Sequence, residues 1–259
     1  MNIFKKVMRP EDGSVWITGA SAGIGRSVAL DLAQRGWRVY ATARRAEPLE
    51  ALAAENASIT PVPGDVTQLD DMHQAMARIT SDGPLALAIF NAGIYKPMRA
   101  QTFSARDAKQ IFDVNLTGVA NGLEPVLAHM IERKTGHIAL VASVAGYRGL
   151  PNAVAYSPTK AGLIAMAEAL AMDLVDLGVR ISVINPGFVE TEATSVNEFE
   201  MPMLLQPEDA ARRIVEGLAK PGFEIRFPWQ FAAILRLIGS LPNRAYIWAV
   251  RKALGWDKV

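Results

Sequence analysis

Short, continuously apolar segments alternate with longer amphipathic segments from about residue 14 to residue 227. The apolar segments predict strands at residues 15–18, 38–42, 58–62, 85–90, 137–142, 180–184 and 223–227. The amphipathic segments predict helices, the clearest of them at residues 24–35, 69–80, 105–133, 155–177 and 207–220. Apolar strands separated by helices are typical of a parallel sheet that is covered on both faces. The pattern therefore predicts an α/β fold, a doubly wound sheet with right-handed crossovers.

A glycine-rich segment joins the first predicted strand to the first predicted helix, with the spacing Gly-x3-Gly-x-Gly. Glycine allows a tight turn and a close approach of the backbone to a ligand, and the following helix N-terminus presents N–H donors to an anion. Between a strand and a helix, this spacing predicts that a dinucleotide binds there. Its predicted contact residues are Gly19, Ser21, Gly23, Ile24 and Gly25.

Tyr156 and Lys160 are four residues apart in the predicted helix 155–177, so they lie one turn apart on the same face. A free phenol titrates near ~10, and a fixed positive charge beside it favours the phenolate and lowers its pKa. Ser143 follows the predicted strand 137–142, at the sheet edge where open α/β sheets bind ligands. Taken alone, the pair is more typical of exposed residues on an ordinary helix.

Six motifs together resemble the short-chain dehydrogenases/reductases, in their order and approximate spacing. They are the glycine segment 18–25, Asn91-Ala92-Gly93, Asn115, Ser143, Tyr156 with Lys160, and Pro186-Gly187 with Thr191. The resemblance covers about residues 12–227. It implies a three-layer Rossmann fold with a seven-stranded parallel sheet, a nicotinamide dinucleotide cofactor, and hydride transfer between an alcohol and a carbonyl.

The resemblance also implies roles for single residues. Tyr156 exchanges a proton with the substrate oxygen, Lys160 lowers the pKa of Tyr156 and binds the nicotinamide ribose, and Ser143 holds the substrate oxygen. Asn115 holds a water that connects Lys160 to solvent; because asparagine is a poor helix former, we expect a local break of helix 105–133 there. The remaining implied cofactor contacts are Asp65, Val66, Asn91, Ala92, Gly93, Pro186, Gly187, Val189 and Thr191.

Two positions qualify this picture. Asp65 also suits the start of the following helix, and both roles could hold together. Phe90 stands where the family often carries a second asparagine, which is a departure from its pattern.

The end of the second predicted strand indicates which dinucleotide is preferred. Folds that select NAD place a carboxylate here, whereas this chain has Ala43 followed by Arg44 and Arg45. Because a guanidinium suits a phosphate dianion, we predict NADP, with NAD as the alternative and with Arg26 or Ser21 assisting. The other interpretation is that both arginines are solvated surface charges.

Residues 192–206 correspond to a mobile lid over the substrate in the resembled family. The apolar residues here and in neighbouring loops are Met201, Met203, Leu204, Leu205, Tyr95, Tyr147 and Leu150. They predict an apolar carbonyl or alcohol substrate, although core packing would explain them equally well.

Residues 228–259 continue beyond the last predicted strand, whereas many family members end soon after it. This segment has five basic residues and one acidic residue, a net charge of +4, against 22 basic and 25 acidic residues before it. Its pattern predicts two helices interrupted near residues 239–243, with wide apolar faces. The segment could pack on its own domain, form a dimer contact, cover the substrate pocket or lie on an anionic membrane surface. Packing on its own domain or at a dimer contact is favoured.

Composition limits the possible partners, the cellular location and the number of domains. The chain has 259 residues, half of them apolar, with a net charge of +1, so nothing indicates a nucleic-acid partner. It has no cysteine, residues 1–8 lack a signal peptide, and no apolar run reaches the ~18 residues of a membrane span. We therefore predict one soluble cytoplasmic domain, residues 1–259, in a homodimer or other homo-oligomer. Three dispersed histidines predict no metal site.

Two alternatives to a cytoplasmic carbonyl reductase stay open. One is a regulatory protein that binds the dinucleotide only as a ligand, because fold does not dictate activity. The presence of Tyr156, Lys160 and Ser143 argues against it. The other is a reductase for lipid-like or steroid-like substrates that lies on a membrane surface through residues 228–259.

Overall fold

The computed structural model describes residues 7–196 and 201–253. Seven parallel strands form one sheet in the order β3-β2-β1-β4-β5-β6-β7. They are β1 (Ser14–Thr18), β2 (Val39–Thr42), β3 (Ile59–Pro61), β4 (Leu85–Phe90), β5 (Gly136–Val141), β6 (Val179–Pro186) and β7 (Glu224–Phe227). The predicted doubly wound α/β fold is confirmed. Strand order reverses direction between β1 and β4, which is the place where such sheets open a crevice for ligands.

Helices cover both faces of the sheet. They are α1 (Gly23–Gln34), α2 (Ala46–Glu55), α3 (Leu69–Ser81), α4 (Ala105–Phe112), α5 (Gly118–Arg133), α6 (Tyr156–Leu174), α7 (Pro207–Leu218), α8 (Trp229–Gly239) and α9 (Asn243–Ala253). Helix α2 was not singled out from the sequence, because only Leu49 and Leu52 of its residues are buried. The other predicted helices lie within a few residues of the observed ones.

Successive side chains of each central strand enter two different apolar cores. Ile17 of β1 packs with the residues of α1 and α7, whereas Trp16 packs on the other face with those of α3, α5 and α6. All five residues of β1 are buried. This burial on both faces explains why the strands are continuously apolar rather than alternating.

The predicted break in helix 105–133 is confirmed. A π-helical turn, Asp113–Thr117, separates α4 from α5. Turns of this type widen a helix and occur frequently at functional sites. Here the turn directs Asn115 into the protein, where it is fully buried.

The C-terminal segment forms the two predicted helices, α8 and α9, and packs one side against its own domain. Arg148, in the loop after β5, donates hydrogen bonds to the carbonyl oxygens of Gly239 and Leu241. Its guanidinium lies 4.0 Å from the centre of the Tyr246 ring, and the Tyr246 hydroxyl donates to the Gly149 carbonyl at 2.8 Å. These contacts fix the connection between α8 and α9 to the loop 147–150.

Three predictions fall partly outside the described residues. They are the absence of a signal peptide in residues 1–8, the lid at residues 192–206 and the C-terminal segment 228–259, of which residues 1–6, 197–200 and 254–259 are not described. Within the described residues, no helix is both long and apolar enough to cross a bilayer.

Candidate active site

A cleft of about 610 Å³ opens at the carboxyl ends of β1, β4, β5 and β6. Nearly every residue predicted to contact the cofactor lines it, together with Ser143, Tyr156 and Lys160. The predicted contacts at its wall are Gly19, Ser21, Gly23, Ile24, Arg44, Arg45, Asp65, Val66, Asn91, Ala92, Gly93, Pro186, Gly187, Val189 and Thr191. Two predicted site residues, Gly25 and Asn115, lie behind the wall instead.

The glycine turn is held in place by close packing. Gly19 has φ +69°, and a Cβ there would lie 2.6 Å from the Cα of Ala92. A Cβ at Gly25 would lie 2.3 Å from the Gly19 carbonyl oxygen, so Gly25 serves the packing of α1 against the turn rather than a ligand contact. Only glycine therefore allows this backbone to form the floor of the cleft.

Asn91 and Thr18 join the turn to the end of β4. The Asn91 side-chain amide donates to the carbonyl oxygens of Thr18 and Gly19 at 3.1 and 3.0 Å. The Thr18 hydroxyl accepts from the backbone N–H groups of Asn91 and Ala92 at 3.1 and 3.2 Å. Asn91 thus supports the glycine turn with its side chain.

Phe90, the departure from the family pattern, packs in the core between the sheet and helices α3, α5 and α6. Its ring meets Trp16 edge-on, with the ring centres 6.1 Å apart, and it packs closely on Gly122.

The arginines at the rim differ in their partners. Arg44 and Arg45 are exposed and line the cleft beside Ala43, and neither forms an ion pair within residues 7–196 and 201–253. Arg26, which was expected to assist them, pairs instead with Glu55 of α2 and does not line the cleft. Two cations therefore remain available at the position where a dinucleotide fold reads the adenosine ribose.

Asp65 lies both in the turn before α3 and at the wall of the cleft. One of its carboxylate oxygens accepts hydrogen bonds from the backbone N–H and the hydroxyl of Thr67, both at 2.9 Å, and stabilises the turn before α3. The same residue also lines the cleft.

Tyr156, Lys160 and Ser143 converge at the end of the cleft away from the arginines. Tyr156 is the first residue of α6, and the Lys160 ammonium lies 5.6 Å from the centre of its ring. The buried ammonium donates a hydrogen bond to the Val141 carbonyl at 2.8 Å, at the end of β5. The Ser143 hydroxyl lies beside them, where it accepts a hydrogen bond from the Ala145 N–H at 3.1 Å and donates one to the Pro186 carbonyl at 3.4 Å. The predicted one-turn spacing of the tyrosine and the lysine is present.

The electrostatics of this group differ from the sequence-based expectation. Burial raises the pKa of Tyr156 to about 12, although the neighbouring Ser143 hydroxyl opposes this rise. Burial also lowers the pKa of Lys160 to about 8. The phenol therefore keeps its proton at neutral pH. Desolvation disfavours both charged forms, and this effect outweighs the attraction that the sequence alone predicts.

Asn115 is occupied by backbone contacts. Its side-chain oxygen accepts from the Ile94 N–H at 2.7 Å, and its amide donates to the Ile94 carbonyl at 2.9 Å and to the Thr159 hydroxyl at 3.3 Å. A Cβ at Gly93 would lie 3.4 Å from the Asn115 oxygen and 3.5 Å from the Lys160 ammonium. Gly93 thus leaves space next to both polar groups.

The end of the cleft around Tyr156 is lined mainly by apolar side chains. The Tyr95 ring meets the Tyr156 ring edge-on, with the ring centres 5.0 Å apart, and Leu150 lines the wall nearby. Phe231 of α8 also lines it, 5.7 Å from the Phe188 ring. Phe231 was not predicted, because nothing in its neighbourhood along the chain connects it with the other site residues.

Several apolar residues expected near the substrate have other roles. The Tyr147 hydroxyl donates to Glu224 at 2.6 Å, the Arg236 guanidinium lies 4.8 Å from the Tyr147 ring, and Tyr147 does not line the cleft. Met201, Met203, Leu204 and Leu205 are also absent from the wall.

Hydrogen bonds within the loop after β6, and from this loop to the end of β7, hold it in place. The Gly187 N–H donates to the Phe227 carbonyl at 2.7 Å, and the Thr194 hydroxyl donates to the Val189 carbonyl at 2.6 Å. A parallel bridge pairs Val189 with Leu205, so Leu205 anchors the predicted lid segment to this loop.

Known proteins share both the sequence pattern and the fold. The family model described as short chain dehydrogenase matches residues 14–200. An uncharacterized oxidoreductase of Myxococcus xanthus is 40% identical over 241 residues, which covers 91% of this chain and 95% of that protein. An acetoacetyl-CoA reductase of Synechocystis sp. is 36% identical over 185 residues, covering 71% and 75% respectively.

Solved structures agree with these relatives. A variant of actinorhodin polyketide ketoreductase with NADPH superposes with a TM-score of 0.76 at 26% identity, covering 85% of this chain and 97% of that one. A serine dehydrogenase complexed with NADP+ has a TM-score of 0.76 at 27% identity, covering 82% and 93%. The chain belongs to the short-chain dehydrogenase family of oxidoreductases.

Proposed function

We propose that this chain is an NADPH-dependent carbonyl reductase that converts an apolar ketone or aldehyde into the alcohol, or catalyses the reverse oxidation. The observation that carries this proposal is the arrangement of one cleft. Tyr156, Lys160 and Ser143 line one end of it, and the glycine turn with Arg44 and Arg45 lines the other. The names of the Synechocystis relative, an acetoacetyl-CoA reductase, and of the ketoreductase with NADPH support the same reaction class.

The cleft fits a dinucleotide. Gly19 and Gly93 leave the floor open where a side chain would fill it, and the N-terminus of α1 faces the opening. Backbone N–H groups at a helix N-terminus suit a pyrophosphate. Arg44 and Arg45 suit an additional 2′-phosphate, and Asp65 and Asn91 would lie along the adenosine half. When it is bound, the reduced nicotinamide supplies the hydride.

The side chains of the protein would then handle the proton. Tyr156, protonated at neutral pH, donates its proton to the substrate oxygen, while the Ser143 hydroxyl holds that oxygen. The Lys160 ammonium stabilises the phenolate that forms, and the buried surroundings strengthen this attraction. We propose that Asn115 keeps a proton path to Lys160 open beside Gly93.

A substrate panel tests this reaction. Aldehydes, ketones, steroids and secondary alcohols are incubated with NADPH or NADP, and the nicotinamide absorbance is followed. We expect NADPH-dependent reduction of bulky apolar ketones. Tight binding of NADPH without turnover of any panel member would instead favour a dinucleotide-binding regulatory protein.

The preference for NADPH is expected to depend on the two rim arginines. Replacing both, Arg44→Gln with Arg45→Gln, should lower kcat/KM with NADPH by at least about a hundredfold, because each removed cation costs about 1.5–3 kcal/mol of charged hydrogen bonding. The value with NADH should change little. Arg26→Gln is the matched control, since that guanidinium pairs with Glu55 outside the cleft. A wild-type enzyme that favours NADH would refute this assignment.

Phe231 is expected to contribute to the apolar substrate wall. Phe231→Ala should raise KM for bulky apolar ketones by about tenfold, because a lost hydrophobic contact weakens binding by about 1–3 kcal/mol, and should leave small aldehydes nearly unaffected. Trp229→Ala is the matched control, because Trp229 lies on the same helix and is 64% exposed. Equal effects of the two substitutions on KM for the bulky ketones would contradict a role of Phe231 in substrate binding.

A further inference from the structure

Helix α8 is apolar on both of its sides. Its inner side carries Ala232, which is fully buried, and Phe231, which lines the cleft. Its outer side carries Trp229, Ile234 and Leu237, which are 64, 50 and 73% exposed. At about 100° per residue, Leu237 lies between Trp229 and Ile234 around the helix, and the three fall within an arc of about 140° that also contains the exposed Gln230 and Ala233. An exposed apolar stripe of this width is normally covered by a partner.

Helix α9, which follows α8 after a short connection, also exposes apolar and cationic residues. Tyr246 is buried against the domain, whereas Ile247 and Trp248 are 56 and 58% exposed. The Lys252 ammonium lies 4.8 Å from the centre of the Trp248 ring. Tryptophan and lysine together on an exposed helix are typical of the boundary between the headgroups and acyl chains of a bilayer.

The charges on these helices have one sign. Residues 228–253 contain four basic residues, Arg236, Arg244, Arg251 and Lys252, and no acidic residue. Arg236 is paired with Glu224 of β7, so its charge is balanced within the domain. The outward charge is therefore carried by α9, where Arg244 and Lys252 flank the exposed Ile247 and Trp248. The partner that complements this surface is anionic and apolar at once.

A second copy of the chain fits this surface poorly. In a two-fold symmetric contact the same patch faces itself, so the cations of α9 would approach each other. Like charges brought together at an interface are destabilising. An anionic phospholipid layer offers the opposite charge to the cations and an apolar interior to the tryptophans and leucines.

We propose that the outer sides of α8 and α9 dock on an anionic phospholipid surface. Trp229, Leu237, Ile247 and Trp248 enter the headgroup boundary, and Arg244 and Lys252 contact the phosphates. The inner side of α8 keeps its place in the wall of the cleft. This docking does not depend on the proposed reaction, because it is measured without cofactor or substrate.

Co-sedimentation of the full-length protein with vesicles tests the docking. The vesicles are phosphatidylcholine alone or phosphatidylcholine mixed with phosphatidylglycerol. We expect binding to the mixed vesicles, weaker binding to the neutral ones, and release at high salt. Arg244→Gln with Lys252→Gln should lower the partition coefficient about thirtyfold, from about fivefold per cation near an anionic surface.

A second variant separates apolar docking from charge. Trp229→Gln with Leu237→Gln should lower binding to the mixed vesicles by at least about tenfold, because the apolar area that enters the boundary is reduced. Met172→Gln is the matched control, since Met172 is 72% exposed on α6, and it should bind like the wild type. Thermal unfolding of all variants checks that each is folded.

Four outcomes would overturn the proposal. Three come from the vesicle experiment: no binding of the wild type to the mixed vesicles, equal binding to neutral and anionic vesicles, and equal loss of binding in the Met172 control. Sedimentation velocity gives the fourth: if Trp229→Gln with Leu237→Gln converts an oligomer into a monomer and leaves vesicle binding unchanged, the surface is a contact between copies.

Discussion

Replacing Tyr156 with phenylalanine is expected to lower the turnover of a carbonyl substrate by about 10²–10⁴-fold, the usual contribution of a positioned general acid. The affinity for NADPH should change by less than about twofold. The substitution removes only the hydroxyl, so the edge-on contact between this ring and Tyr95 is kept. Catalysis and cofactor binding are thereby separated in a single variant.

Steady-state kinetics and a fluorescence titration with NADPH measure the two quantities. Tyr95→Phe is the matched control, because it removes a hydroxyl from the ring that touches Tyr156 and leaves both rings in place. We expect this control to keep its activity within a few-fold of the wild type. Residual activity of more than a few per cent in Tyr156→Phe would contradict the assigned proton donor.

The fold was predictable because its signals are local. Val15 and Ile17 enter one core and Trp16 enters the other, so β1 needs apolar residues at successive positions. The spacing of Tyr156 and Lys160 specifies one turn of a helix, and Asn115 marks a break that the π-helical turn confirms. Each of these features depends on residues that are near in sequence.

The remaining features of the site depend on contacts across the chain. Gly19 packs on Ala92, and Phe231 reaches the cleft from α8, far along the chain from the glycine turn. Arg148 fixes the connection between α8 and α9 through carbonyl oxygens, which no side-chain pattern reveals. Such contacts follow from how the elements pack, so a motif names the residue type but not its neighbours.

Burial explains why the pKa of Tyr156 is raised in the structure, whereas the sequence predicted that it is lowered. The sequence shows which charged residues are neighbours, and it predicted that Lys160 lowers the pKa of Tyr156. The structure adds desolvation, which raises the pKa of Tyr156 and lowers that of Lys160. This direction suits a site that donates a proton, because the phenol stays protonated until charge develops on the substrate oxygen.

Replacing Lys160 with methionine is expected to make the protein more stable near pH 7 while removing most of its activity. The pKa of Lys160 is about 8 in the folded protein, against an ordinary value of 10.5. Between these values the unfolded chain binds more protons, so the free energy of unfolding rises with pH across this window. Below pH 8 the buried ammonium costs the wild type the full difference, about 3 kcal/mol. The methionine variant avoids this cost but loses the hydrogen bond to Val141, worth about 1 kcal/mol.

The net expectation is a gain of about 2 kcal/mol at pH 7 that shrinks and reverses as the pH approaches 10.5. Urea unfolding of both proteins at several pH values measures it. Tyr156→Phe is the control, because it retains the lysine and should keep the rise in stability between pH 8 and pH 10.5. A methionine variant that is less stable than the wild type at pH 7, by the same amount at every pH, would show that the buried ammonium carries no such cost.

In the wild type, kcat/KM for reduction should fall as the pH rises through about 8, because a neutral Lys160 no longer stabilises the phenolate. The same buried charge would then lower stability and support catalysis, as expected where a site is kept at the expense of the fold.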